Sequence, residues 1–227
     1  MRVLHVVPTY LPATRYGGPI YSVHGLCNAL ASNGHDVHVF TTNVDGAVDS
    51  DVPLGVPVLL DGVHVWYFPS KRLRRLYWSP PMMRALKAQL PQFDIVHLHS
   101  VFLWPTWAAA RVARACGTPY VLSPRGMLVR GLIRRKSRWL KSAWIRMIES
   151  PNLSNAAAIH VTSKRERKDL EELGLALSRV HIVPNGVDLE DCSPEMHLDP
   201  ELEAVLTKGP SALYLGRLSW KLSLIHI

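Results

Sequence analysis

Two hydrophobic patterns alternate along the chain. Short runs rich in β-branched residues occupy 3–7, 37–42, 63–68, 95–99, 120–123, 158–162 and 180–183. Such runs suit strands buried on both faces of a parallel sheet. Between them, apolar residues recur at helical spacing. Ile20, Val23, Cys27 and Leu30 form one stripe, closed by Gly34; Met82, Met83, Leu86 and Leu90 form another, opened by Ser79-Pro80. An alanine-rich helix opens at Pro105 and stops at Gly117, and Ser163 with Glu166 makes a capping box for a helix ending at Gly174. A long basic helix is predicted over about 131–149, broken by Ser150-Pro151-Asn152, and residues 43–57 read as a loop. The alternation predicts an α/β fold with a doubly wound parallel sheet.

The first strand, glycine turn and helix organise the rest. Gly17-Gly18-Pro19 stands where the first helix begins, with proline suited to its opening turn. A glycine pair there is either a tight turn or a place where bare N–H groups meet an anion. In a Rossmann-like strand order, ligands bind beyond the carboxyl ends of the strands, where the order reverses. The loop of Gly17 and Gly18, His99 at the end of 95–99 and Arg125 after 120–123 would then converge. His97 sits inside its strand and reads as a satisfied buried histidine. Arg125 either forks a phosphate or pairs with a carboxylate.

Charge and cysteines narrow the picture. The formal net charge is +8, which points to an anionic partner. Between Arg125 and Arg146 there is no acidic residue, while Arg134, Arg135, Lys136 and Arg138 cluster beside Trp139, Leu140 and Trp144. That segment is either a helix packed on its own sheet with a solvated face or one that docks on anionic lipid. No RRM, KH, zinc-finger or helix-turn-helix signature supports nucleic acid as the partner. Three scattered cysteines argue against a disulfide framework or a CxxC metal site and fit a reducing compartment. His97 and His99 lack a nearby Cys, Asp or Glu cluster, so no metal is expected. With no apolar stretch reaching about 18 residues and no signal-peptide pattern, the expected location is the cytoplasm, with peripheral contact at the inner face of a membrane.

Several motifs in order carry a resemblance. Arg2-Val3-Leu4-His5-Val6-Val7-Pro8 with Gly17-Gly18-Pro19, then Asn33-Gly34-His35-Asp36-Val37, Asp94-Ile95-Val96-His97-Leu98-His99, Ser123-Pro124-Arg125-Gly126, Pro184-Asn185-Gly186-Val187-Asp188 and Leu215-Gly216-Arg217-Leu218-Ser219 resemble glycosyltransferase family 4, of the retaining GT-B type. The resemblance implies an acceptor-binding Rossmann-like domain over 1–188, a linker over 189–210, and the first strand of an incomplete donor-binding domain over 211–227. It implies transfer of a sugar from a nucleotide diphosphate sugar to a glycan or lipid-linked acceptor in cell-surface polysaccharide or glycolipid synthesis, with no cofactor and no metal. Gly17 and Gly18 would approach the donor diphosphate and acceptor. Gly216 and Arg217 would bind the donor, and Arg125 and His99 would be catalytic.

The chain departs from the family in two places. Arg125 stands where many relatives carry histidine. After Leu-Gly-Arg-Leu-Ser, the expected Lys-Gly is absent, Leu occupies 222, and the later acidic pair is missing. The expectation is therefore a C-terminally truncated hexosyltransferase-type chain, inactive by itself. Two other readings stand beside it: a membrane-surface or polyanion-binding module without catalysis, and another GT-B enzyme such as a sugar-nucleotide epimerase.

Overall fold

A computed structural model describes residues 1–135, 138–186 and 199–210. The chain divides into two compact units, residues 1–187 and 188–227.

The first unit is built on an eight-stranded sheet. In chain order its elements are β1 (Arg2–Val6), α1 (Gly18–Ser32), β2 (Asp36–Thr42), the short pair β3 (Val44–Asp45) and β4 (Val48–Asp49), β5 (Pro57–Leu60), β6 (Val63–Phe68), α2 (Pro80–Gln89), β7 (Ile95–His99), α3 (Trp104–Cys116), β8 (Tyr120–Ser123), α4 (Arg130–Arg135), α5 (Arg138–Trp144), a π-helical turn (Ile145–Glu149), α6 (Ser150–Ser154), β9 (Ala158–Val161), α7 (Lys164–Glu171) and β10 (Val180–Ile182). The sheet order is β10-β9-β8-β7-β1-β2-β6-β5, parallel throughout except for β5. The order reverses between β1 and β7, as a doubly wound sheet requires.

Strand parity separates two faces. Leu4 and Val6 of β1, Val96 and Leu98 of β7, Leu122 of β8 and Ile159 of β9 are buried in one core with Met82, Leu86, Ala109 and Leu153. Val37, Val39, Val63 and Val65 pack with Val23 and Cys27 of α1 in a second core. On the face opposite the first core, the middle strands carry polar residues in register: His5 lies beside His97, and His99 beside Ser123. Successive side chains on a strand point to opposite faces, so the histidines of β7 share this one.

Local chemistry explains the helix ends. Ser79 Oγ accepts from Met82 N–H at the start of α2, and Gly34 and Gly117 adopt positive φ just past α1 and α3. Three local expectations change. Residues 43–57 are not a plain loop: they hold the β3–β4 hairpin, turned at Gly46, before β5 pairs antiparallel at the sheet edge. The basic segment is α-helical over Arg130–Arg135 and Arg138–Trp144, then passes into a π-helical turn, and Ser150-Pro151 opens α6 rather than ending the run. A proline in a first turn lacks only an N–H that would be unpaired anyway. In the Ser163 capping box, Ser163 Oγ accepts from Glu166 N–H, but the Glu166 carboxylate bonds Thr162 and Gly126 instead of returning to Ser163.

In the second unit, Pro200–Leu206 form helix α8, capped by Asp199, within the stretch read as a linker. Lys136, Gly216 and Arg217, and the predicted strand over 211–217, lie outside the described residues. Among the described residues no helix is long and apolar enough to cross a membrane.

Candidate active site

The loops after β1, β7 and β8 converge at the carboxyl edge of the sheet. They enclose a cleft of about 170 Å³ lined by Val7, Pro8, Thr9, Pro19, Ile20, Val23, Tyr77, His99, Ser100, Leu103 and Arg125. Among the described residues that line it, Arg125 is the one charged residue. Gly17 and Gly18 do not line it themselves; they set the start of α1, whose Pro19 and Ile20 do. Gly17 caps α1 at φ 73 and ψ −144, a region open in practice only to glycine. A Cβ on Gly18 would meet nothing within 4 Å, so its backbone faces open space.

His99 and Arg125 are in contact. Arg125 Nη2 donates to His99 Nδ1 at 3.2 Å, and Nη1 donates to Asn185 Oδ1 at 3.1 Å. Because a guanidinium only donates, His99 Nδ1 is an acceptor and the ring proton sits on Nε2. His99 Nε2 lies 3.0 Å from His5 Nδ1, so the His99 proton is donated to His5, which is then protonated on Nε2. His5 Nε2 is buried without a partner. Both imidazoles are therefore neutral. Burial and then the Arg125 charge push the His5 pKa down to about 3. Burial, the neighbouring imidazoles and Arg125 hold His99 well below its ordinary value.

A second chain runs alongside. His160 Nε2 donates to Val183 O at 2.9 Å, Ser123 Oγ lies 2.9 Å from His160 Nδ1, and His97 Nε2 lies 2.7 Å from Ser123 Oγ. His160 therefore accepts from the Ser123 hydroxyl, which accepts from His97. His97 is satisfied, as its place inside the strand predicts. His5, His97 and His99 offer ligand atoms within 4.8 Å of one another. The chemistry of this donor set opposes a cation: His99 Nε2 carries a proton spent on His5, and a guanidinium abuts the ring.

The backbone around the cleft is held in uncommon conformations. Ser100, Phe102 and Arg125 have φ of 72, 62 and 54. For non-glycine residues these are sparsely populated and persist only when surroundings impose them. Thr106 Oγ1 anchors Ser100 O at 2.9 Å, and the buried Glu149 carboxylate accepts from Phe102 N–H at 2.6 Å and from Trp144 Nε1 at 2.7 Å. Glu166 Oε1 accepts from Gly126 N–H, fixing the turn that carries Arg125.

Sequence reasoning brought His99 and Arg125 to this edge and missed His5, Ser123, Asn185, Glu149 and Glu166 as partners. Strand parity hinted at His5, but only the β1–β7 register brings it beside His97 and within reach of His99. Of the basic segment, Trp139 is 90% exposed, with Leu140 and Met147 also exposed. Arg134, Arg135 and Arg138 lie on α4 and α5.

The sequence model of Glycosyltransferase Family 4 matches residues 16–191. The chain belongs to glycosyltransferase family 4. Similar solved structures share the Rossmann-like GT-B fold. Sucrose-phosphate synthase from Thermosynechococcus elongatus matches with TM-score 0.61 and 18% identity, covering 91% of this chain and 52% of that one. A trehalose-6-phosphate protein from E. coli, bound with UDP-2-fluoro glucose, matches with TM-score 0.55 and 13% identity over 92% and 54%. HepE of Anabaena, in complex with UDP-glucose, matches with TM-score 0.53 and 13% identity over 92% and 49%. The family-4 chain thus spans about half the length of these structures. No curated protein sequence matches it.

Proposed function

We propose that the cleft at the carboxyl edge of β1, β7 and β8 is the acceptor-side half of a glycosyltransferase active site. The whole enzyme moves a hexosyl group from a nucleotide diphosphate sugar to a hydroxyl of a glycan or lipid-linked acceptor, in cell-surface polysaccharide or glycolipid synthesis. The observation that carries this reading is the contact between His99 and Arg125 inside a cleft of a family-4 chain. A fixed guanidinium beside neutral imidazoles is a preorganised electrostatic donor that can orient an acceptor at this edge. Gly17 and Gly18 leave the start of α1 open for the approach of donor and acceptor. Gly216 and Arg217 supply the donor contacts, and no cofactor or metal takes part. The family match favours transfer over epimerisation.

Because similar structures span about twice this length, the 227-residue chain is expected to transfer little by itself. The test is sugar transfer from UDP-sugars to glycan or lipid acceptors, with the chain alone and with it joined to a donor-binding GT-B half. Transfer only in the joined form supports the reading. Robust transfer by the chain alone contradicts the division of labour, and none in the joined form contradicts the assignment.

A second role rests on a separate observation. Trp139, Leu140 and Met147 are exposed on a segment without acidic residues from 126 to 148. An aromatic and basic surface of this kind docks on anionic headgroups. This supports a peripheral location at the cytoplasmic face of a membrane, where a lipid-linked acceptor would be met.

A further inference from the structure

Among the described residues Arg125 makes no hydrogen bond or ion pair with a carboxylate; Glu166 acts on it only through space. The two hydrogen-bond partners of Arg125, His99 and Asn185, are both neutral. No ion pair involves Arg125 among the described residues. The nearby Glu166 has spent its oxygens on Gly126 N–H, Thr162 N–H and Thr162 Oγ1. The other described residues of the cleft lining are apolar or neutral. A guanidinium partly withdrawn from water and paired only with neutral groups is costly to hold. It is stabilised when an anion arrives, and its planar fork suits a carboxylate or a phosphate.

We propose that this cleft selects an acceptor that itself carries an acidic group, a carboxylate or a phosphate on the sugar, bound by the N–H groups that Arg125 does not spend on His99 and Asn185. His5 is a positioning residue for this contact. By accepting from His99 Nε2, it keeps His99 Nδ1 free to hold Arg125 Nη2, so the guanidinium is aimed before the ligand arrives. The strained backbone at Arg125, anchored through Glu166 to Gly126, serves the same end. The inference rests on the acceptor-side reading above, but its test reads binding and needs no turnover.

The experiment is titration of the 227-residue chain with glucuronate, glucose 6-phosphate, glucose and UDP. Binding is read by calorimetry and by amide shifts of Ser100, Tyr77 and Gly126. The acidic sugars should bind roughly tenfold or more tighter than glucose, as a charge-assisted hydrogen bond contributes on that scale. In Arg125→Gln the preference should collapse, and in Arg125→Lys it should survive in part. His5→Asn keeps an acceptor where His5 Nδ1 stood and should retain the preference; His5→Phe removes it and should lose most of it. Nitrogen-15 spectra of the ring should show the Nε2–H form of His99 in the wild type and in His5→Asn. Equal binding of glucose and the acidic sugars overturns the proposal. So does a preference that persists in Arg125→Gln. If UDP alone depends on Arg125, the anion belongs to the donor and the proposal is equally overturned. Failure of transfer in the joined enzyme, with these binding results intact, would instead count against the transferase reading alone.

Discussion

Acid should unfold this protein through its buried histidines. His5 is fully buried, and its pKa falls from 6.5 in the unfolded chain to about 3 in the native one. The native state therefore takes up fewer protons than the unfolded state between those values. The His5 contribution is fully present above pH 6.5 and is lost as the pH falls from there toward 3. From about pH 7.5 to about pH 5 the loss is ~2 kcal/mol for His5 alone, approaching ~1.4 kcal/mol per pH unit at the acid end. His97 and His99 are displaced in the same direction by burial and by one another, and His38 and His160 are lowered too, so the total slope is steeper. For a domain stabilised by ~5–15 kcal/mol this is a large fraction. Urea unfolding followed by circular dichroism at several pH values gives the slope directly. His5→Asn should lower it by close to one proton between about pH 6 and pH 5. A stability that stays flat across this range, or a slope unchanged in His5→Asn, would refute the neutral buried relay.

Other perturbations separate structure from ligand contact. Gly17→Ala forces a side chain into φ 73, ψ −144 and should cost ~1–3 kcal/mol in thermal unfolding; no loss would mean that the turn is not constrained. Gly18→Ala meets open space and should change stability by less than ~0.5 kcal/mol, so an accompanying loss of ligand affinity would be a contact effect. Glu149→Ala strands the Phe102 and Trp144 donors and should cost ~2–4 kcal/mol in urea unfolding; a change under ~0.5 kcal/mol would show that the carboxylate does not hold the Ser100–Leu103 loop. Trp139→Ala with Leu140→Ala should weaken co-sedimentation with anionic vesicles roughly tenfold and leave thermal stability unchanged, since both side chains are exposed; undiminished sedimentation would place the anchor elsewhere.

The strands of the parallel sheet were legible because double-sided burial leaves an apolar run that few other structures produce. Helix ends were legible where Ser79, Gly34 and Gly117 carry the chemistry of a terminus. The edge was not: β5 alternates between half-buried and exposed positions and gives no strand signal of its own, since only β6 gives it a partner. The basic segment shows one continuous helical period, yet the buried Glu149 draws the chain into a π-helical turn to reach Phe102 and Trp144. At the candidate site, motif order placed His99 and Arg125 together. Their partners stayed hidden because contacts across 94 residues to His5, or 60 to Asn185, depend on strand register and loop path rather than on local pattern.

The central claim is that Arg125 and His99 form the acceptor-side half of a transfer site. It is tested most directly by the transfer rate of Arg125→Ala against the wild type, each joined to the same donor-binding half and assayed with the same nucleotide sugar. Removing a preorganised electrostatic donor costs on the order of a hundredfold or more in rate, and a loss of that size with the fold intact is predicted. A rate within about twofold of the wild type, where removal of such a group should cost far more, would contradict it.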